Sequence, residues 1–184
     1  MNVINLKVKE KNKIYFFNYL TGAIYVNEYN NDYLFNNSQI PTKVELALNF
    51  NKNPYSLSNI NEINDKILTS SVLNIYGLNL SKISVLSFYL AKIYSNLRRK
   101  EFENSIQAIN YFRSIERLKN QNNLCLPRTL FAASKSKLFK EKGVIFIGIF
   151  LPSTNLHAWI IEDGCQPDGE DKIWTNYKPI AAIY

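Results

Sequence analysis

Hydrophobic positions along this chain change their spacing from one stretch to the next, and the changes mark out elements. Lys13 to Tyr29, KIYFFNYLTGAIYVNEY, is dense in Tyr, Phe, Ile and Val, with Thr21-Gly22 between two such runs. Aromatic and β-branched runs separated by a turn dipeptide predict a β-hairpin. Asp32 to Phe35 predicts a short third strand, and residues 36–42 a loop. Lys43 to Phe50 predicts a short helix, stopped by Asn53-Pro54. Ser58 or Asn59 caps a second predicted helix through Ile63, Ile67 and Leu68. Val72, Leu73 and Ile75 then lead to Gly77.

The period becomes helical beyond that point. Ile83, Leu86, Leu90, Ile93 and Leu97 form one stripe of an amphipathic helix with Ser81 as its cap. Phe102, Ile106, Ile109 and Phe112 form a second stripe. Both stripes are core-facing surfaces. Asn120 to Gly143, NQNNLCLPRTLFAASKSKLFKEKG, predicts a single asparagine-capped helix that stops at its glycine. Pro127 fits only in the first turn, where its missing N–H costs least. Cys125 then falls at the helix start. VIFIGIFLP (Val144 to Pro152) predicts a buried strand and LHAWII the next one. Asp163-Gly164 is a hairpin turn dipeptide. The tail from Cys165, with Ile173, Trp174, Tyr177 and Ile180 to Ile183, predicts one or two more strands. The expected class is α+β.

Composition narrows the functional classes. A chain of 184 residues with 46% hydrophobic residues builds a core of ordinary size. No apolar run is long enough to span a membrane, and the lysine-rich N-terminus lacks a signal-type apolar segment. A cytoplasmic protein is the expectation, with two cysteines, Cys125 and Cys165, that need not pair. One histidine and two cysteines do not supply a structural zinc site of the usual kind, so no metal is expected. The net charge of +7 suits an acidic partner. Lysine is scattered, however, with LRRK at 97–100 the one dense cluster, and no nucleic-acid role is assigned. No glycine-rich phosphate loop is present.

Chemistry gathers near the C-terminus. A cysteine at a helix start has its thiolate favoured by unpaired N–H groups and the helix dipole. The lone histidine, His157, follows on a strand, and acids follow the next turn. That order supplies nucleophile, base and orienter. If Asp163-Gly164 is a two-residue loop, Glu162 pairs with Cys165 and Trp159 with Asp168. His157 then shares a face with Asp168, within reach across the pair. A one-residue bulge near Pro167 or Gly169 would select Asp171 instead. Asp168 is the first choice and Asp171 the alternate acid.

The segments CLPRTL, HAWIIEDG and PD resemble the transglutaminase-like cysteine peptidases of lasso-peptide biosynthesis, the microcin-type leader peptidases called B proteins. Their pattern is a Cys-Leu-x-Arg-Ser-Leu helix start, an apolar strand, a His-Ala-Trp or His-Ser-Trp strand and an aspartate. Cys125, Leu126, Arg128 and Leu130 match the first motif, with Thr129 in the serine position. His157, Ala158 and Trp159 match the second. The resemblance covers residues 120 to 184. Beyond the turn, Asp168, Glu170 and Asp171 compete for the acid's place.

The resemblance implies a papain-like core at 78–184, with a Cys-bearing helix packed on antiparallel strands bearing His and Asp. It implies removal of a leader from a ribosomally made precursor through a thioester. Cys125 would attack the carbonyl, His157 would move the proton and Asp168 would fix the imidazole tautomer. The Cys125 N–H would be an oxyanion donor. Gln121 and Asn123 are weaker candidates for a second donor, and Trp159 would pack under the imidazole. Arg128 has two readings, a core ion pair, which is favoured, or neutralisation of a substrate carboxylate, and Cys165 is read as an unreactive passenger. Residues 1–77 resemble the winged-helix-like precursor-recognition module of fused family members, which adds the leader to a sheet edge. No cofactor bound directly is implied. ATP would enter through a partner cyclase resembling asparagine synthetase, and an ABC exporter is a further expected partner. Two other readings stand beside this one: another transglutaminase-like acyl transferase, and a leader-binding module with a vestigial Cys–His pair.

Overall fold

A computed structural model describes residues 2–18, 21–28, 40–49, 102–118, 125–166 and 176–184. Its strands are β1 (Val3–Asn5), β2 (Val8–Glu10), β3 (Lys13–Asn18), β4 (Ala23–Glu28), β5 (Gly143–Phe150), β6 (Asn155–Glu162) and β7 (Lys178–Ile183). Its helices are α1 (Thr42–Leu48), α2 (Ser105–Leu118), α3 (Cys125–Lys135) and α4 (Lys137–Lys142). Every strand pairing is antiparallel, in two sheets ordered β1-β7-β5-β6 and β2-β3-β4. The class is α+β, as the mixture of periods predicts.

Strand alternation explains why β5 reads as an unbroken apolar run, since both faces of its sheet are covered. Ile145, Ile147 and Ile149 point to one side, with Ala158, Ile160, Ala181 and Ile183, under Leu126, Leu130 and Phe131 of α3. Val144 and Phe146 point to the other side, with Trp159, Ile161 and Ala182, against Leu6 and against Val44 and Ala47 of α1. At ~25 cal/mol per Å² of apolar surface buried, this two-sided core is the main stabilising term. In α1, the Lys43 ammonium also lies 5.9 Å from the centre of the Phe139 ring.

The predicted stripe at 102–112 is buried throughout: Phe102, Ile106, Ile109 and Phe112 all lie in the core. The Phe131 ring is 5.5 Å from Phe112, 6.2 Å from Tyr111 and 6.4 Å from Phe102. These aromatic contacts set α3 against α2. The hairpin at 13–29 forms as β3 and β4, with Thr21-Gly22 in the turn and Gly22 at φ 73°. The helix expected at 43–50 forms as α1, one residue earlier, directly after Pro41.

Two expectations need correction. The helix predicted from Asn120 to Gly143 is two helices, broken at Ser136. There Phe102 bridges in parallel: its N–H donates to the Lys135 carbonyl, and its carbonyl accepts from the Lys137 N–H. Ser136 restarts the helix as a cap, its hydroxyl accepting from the Phe139 N–H. Gly143 is not a left-handed helix stop, since its φ is −98°; it opens β5. β1 pairs with β7, Val3 opposite Ile183, so the first strand belongs to the C-terminal sheet. The helices expected near 58–68 and 81–97, the strand at 32–35 and the boundary at 77 lie outside the described residues.

Gly143 is required for close approach. A Cβ there would lie 1.9 Å from Cδ2 and 2.4 Å from Cγ of Phe139, ring atoms of a buried side chain. Gly143→Ala is therefore expected to destabilise the fold by about 1–3 kcal/mol, the usual range for overpacking, read as a lowered urea midpoint at unchanged slope.

The two sheets are also joined at the surface, where the Lys178 ammonium donates to the Glu10 carboxylate. That hydrogen bond, then the ammonium charge, hold the Glu10 carboxyl below its ordinary value. A carboxyl with a lower pKa folded than unfolded adds stability above its unfolded value, and loses it as pH falls through the folded one. Both side chains are about half exposed, so the effect is small. Thermal midpoints of wild type and Glu10→Gln should differ by a degree or so near about pH 6, and the difference should shrink as pH falls below about 4.

Candidate active site

Cys125 is the first residue of α3 and is buried, 7% exposed. Pro127 is the third residue, so its missing N–H removes no intrahelical bond. Leu126 and Leu130 anchor this first turn in the core, and Arg128 and Thr129 are buried beside them. The Thr129 hydroxyl donates to the Ala158 carbonyl at 3.3 Å. Residues four apart share a helix face about 5–6 Å apart, so Cys125 lies one turn before Thr129 on the same side of α3.

The hairpin after β6 has the two-residue form that Asp163-Gly164 predicts. Asp163 has φ 50° and Gly164 φ 71°, as a type I′ turn requires. Glu162 and Cys165 exchange both backbone hydrogen bonds, at 2.8 and 2.9 Å. A strand residue turns its N–H and C=O to the same side, and successive residues alternate. Glu162 directs its pair away from β5, so Ile160 and Ala158 do likewise. The Ala158 carbonyl that Thr129 meets is therefore on the outer edge of β6, one residue from His157.

Side chains alternate as well. Ala158, Ile160 and Glu162 face the helices, while His157, Trp159 and Ile161 face the α1 side. The imidazole is half-buried. Its ring centre is 6.1 Å from that of Trp159, at 18° between planes, and 5.1 Å from that of Tyr177, at 37°. Trp159 thus lies against the imidazole, with Phe146 behind it at 5.6 Å. The structure brings the helix of Cys125 to the strand of His157, and turns the imidazole to the face opposite α3. The path from the helix start to the imidazole runs around the outer edge of β6, its outermost position among the described residues. Asp168, Asp171, Gln121 and Asn123 lie outside the described residues. Cys165 is buried in the bridge beside the turn.

Residue-level reading of the sequence missed three contributors. Thr129 stands where the motif carries a serine, and its hydroxyl ties helix to strand. Gly148 pairs with His157 on β5, where a Cβ would lie 2.5 Å from Trp159 Cζ3. Glu162 is completely buried, its carboxylate accepting from the Ser105 N–H at 2.8 Å and from the Ser136 hydroxyl at 2.6 Å. The parity of β6 offered a signal for Glu162, since it shares the inward face of Ala158 and Ile160.

No helix of the described residues is long and apolar enough to cross a membrane. No protein-family model, curated protein or solved structure matches this chain.

Proposed function

We propose that this chain is a cysteine peptidase that removes the leader from a ribosomally made precursor of lasso type. The observation that carries the reading is the Thr129–Ala158 hydrogen bond, which fixes the first turn of the Cys125 helix at the edge of the His157 strand. On this reading 78–184 is a transglutaminase-like, papain-related core. His157 takes the Cys125 proton, and the thiolate attacks the scissile carbonyl. The Cys125 N–H, in the first turn of α3, donates to the oxyanion. Collapse of the tetrahedral adduct breaks the C–N bond, and the imidazolium gives its proton to the leaving amine. Water, deprotonated by His157, then cleaves the thioester and restores the thiol. Asp168 would orient the imidazole, with Asp171 as the alternate.

The N-terminal sheet supports the recognition half of this reading. Among the described residues β2, β3 and β4 form a three-stranded antiparallel sheet followed by α1, and β4 is its outer strand, with Tyr25 and Val26 exposed. A leader could add there as a further strand. The expected partners are the precursor, an ATP-using cyclase resembling asparagine synthetase, and an ABC exporter, all cytoplasmic or facing the cytoplasm.

One observation favours a second reading, a leader-binding module with a vestigial Cys–His pair: the imidazole lies against the rings of Trp159 and Tyr177 on the face away from α3. Purified chain incubated with the precursor encoded beside it, followed by mass spectrometry, separates the two. Release of a leader fragment by wild type and none by Cys125→Ala supports the peptidase. Binding without cleavage by either supports the module. A product in which an added amine replaces water identifies an acyl transferase.

A further inference from the structure

We propose that Tyr177 is a positioning residue for His157, one jaw of an aromatic clamp whose other jaw is Trp159 and whose space is made by Gly148. The catalytic part of this inference rests on the peptidase reading; the clamp itself does not.

Several independent features converge on that position. Gly148 lies directly across from His157 in the β5–β6 register. A Cβ at Gly148 would sit 2.5 and 2.6 Å from Cζ3 and Cη2 of Trp159, and 2.9 Å from Cβ of Tyr177. The two aromatic residues therefore close over the bare backbone of β5, and any side chain there would part them. The β5–β7 register also shifts at this point, with Ile147 opposite Ala181 but Gly148 opposite Pro179. The irregularity brings the start of β7, and with it Tyr177, over the glycine. Phe150 supports Tyr177 from outside at 5.7 Å, and Phe146 supports Trp159 from inside at 5.6 Å. The imidazole meets both jaws, at 5.1 and 6.1 Å between ring centres.

A base must hold its orientation to within a few tens of degrees, and displacement by about 1 Å can cost about a hundredfold in rate. His157 is half-buried on β6, the outermost strand of its sheet among the described residues. Contact with two aromatic rings restricts its χ1 and χ2. Tyr177 acts through the imidazole and is not itself placed against substrate.

The chain has one histidine, so its imidazole proton signals in an NMR spectrum belong to a single residue. Wild type should show Hδ2 and Hε1 displaced upfield by the ring currents of the two jaws. Tyr177→Leu should lose about half of that displacement, and lower kcat for precursor cleavage about tenfold at unchanged KM. Tyr177→Phe, which keeps the ring, should restore both. Gly148→Ala, which parts the jaws by a different route, should move the same signals if Tyr177→Leu does not fold. Unmoved imidazole signals in the folded variants would overturn the clamp. Moved signals with unchanged kcat would overturn the positioning role. If wild type cleaves no precursor, the peptidase reading and the positioning role fall together, and the signals decide the clamp alone.

Discussion

Cys125→Ala is expected to abolish leader cleavage, lowering turnover by at least about a thousandfold, while leaving the chain folded. On the peptidase reading the effect should be large because the thiolate would form the bond that divides the reaction into two steps, and alanine offers no nucleophile. The fold should survive because alanine is the best helix former and the lost group is small. Removing one buried sulfur should cost about 1 kcal/mol, a fall of about 2–4 °C in the unfolding midpoint for a chain of this size. Leu126, Leu130 and Phe131 keep α3 in the core without it. His157→Ala should bring a loss of similar order, and the double variant little more, because nucleophile and base act as one unit. Leader release measured by mass spectrometry, with circular dichroism as the check on folding, provides the test. Cleavage retained by folded Cys125→Ala would end the peptidase reading.

Local signals decided which parts of this fold were legible in the sequence. The turn after β6 was readable because Asp163-Gly164 supplies the two positive φ values that a type I′ turn needs, and the pairing of Glu162 with Cys165 follows from the turn. The α2 stripe was readable because burial of Phe102, Ile106, Ile109 and Phe112 leaves a helical period in the sequence. Non-local pairing left no such trace. β1 has three residues and reaches its partner β7 from the opposite end of the chain, so nothing near Val3 announces it. The break at Ser136 is similar. LFAASKSKLFK has ordinary helical propensity throughout, and the interruption comes from Phe102 inserting its backbone between Lys135 and Lys137.

Much the same holds for the candidate site. The thiol at a helix start and the imidazole on a strand were each legible from local pattern. Their relation depends on how helix and sheet pack, which no spacing encodes. Parity put His157 on the face of Trp159, and the stack of the two rings follows from it. That α3 would cover the opposite face, and meet β6 at its edge through Thr129, required the tertiary structure.

The largest stability effect is expected at Glu162. Its carboxylate is fully buried and joins three elements: β6, the start of α2 through the Ser105 N–H, and the α3–α4 junction through the Ser136 hydroxyl. A carboxylate at the first turn of α2 also meets the positive end of the helix dipole. Hydrogen bonds to a charged group contribute about 1.5–3 kcal/mol each, and donors left unpaired in a core carry their own cost. Glu162→Ala should therefore destabilise by about 3–5 kcal/mol, or about 6–20 °C in unfolding midpoint. Glu162→Gln keeps one acceptor oxygen and should lose about half as much. Ser136→Ala removes one of the same bonds, so combining it with Glu162→Gln should cost less than the sum of the two, as coupled neighbours do. Additive losses would show that the carboxylate and hydroxyl do not act together. Because Thr129 holds the other end of α3 at Ala158, the Cys125 turn should stay in place when the Glu162 anchor is weakened. Glu162→Gln assayed well below its midpoint should therefore cleave at close to the wild-type rate. A loss of cleavage there as deep as that of Cys125→Ala would mean that α3 is held as a single rigid lever, with the thiol's position set from its far end.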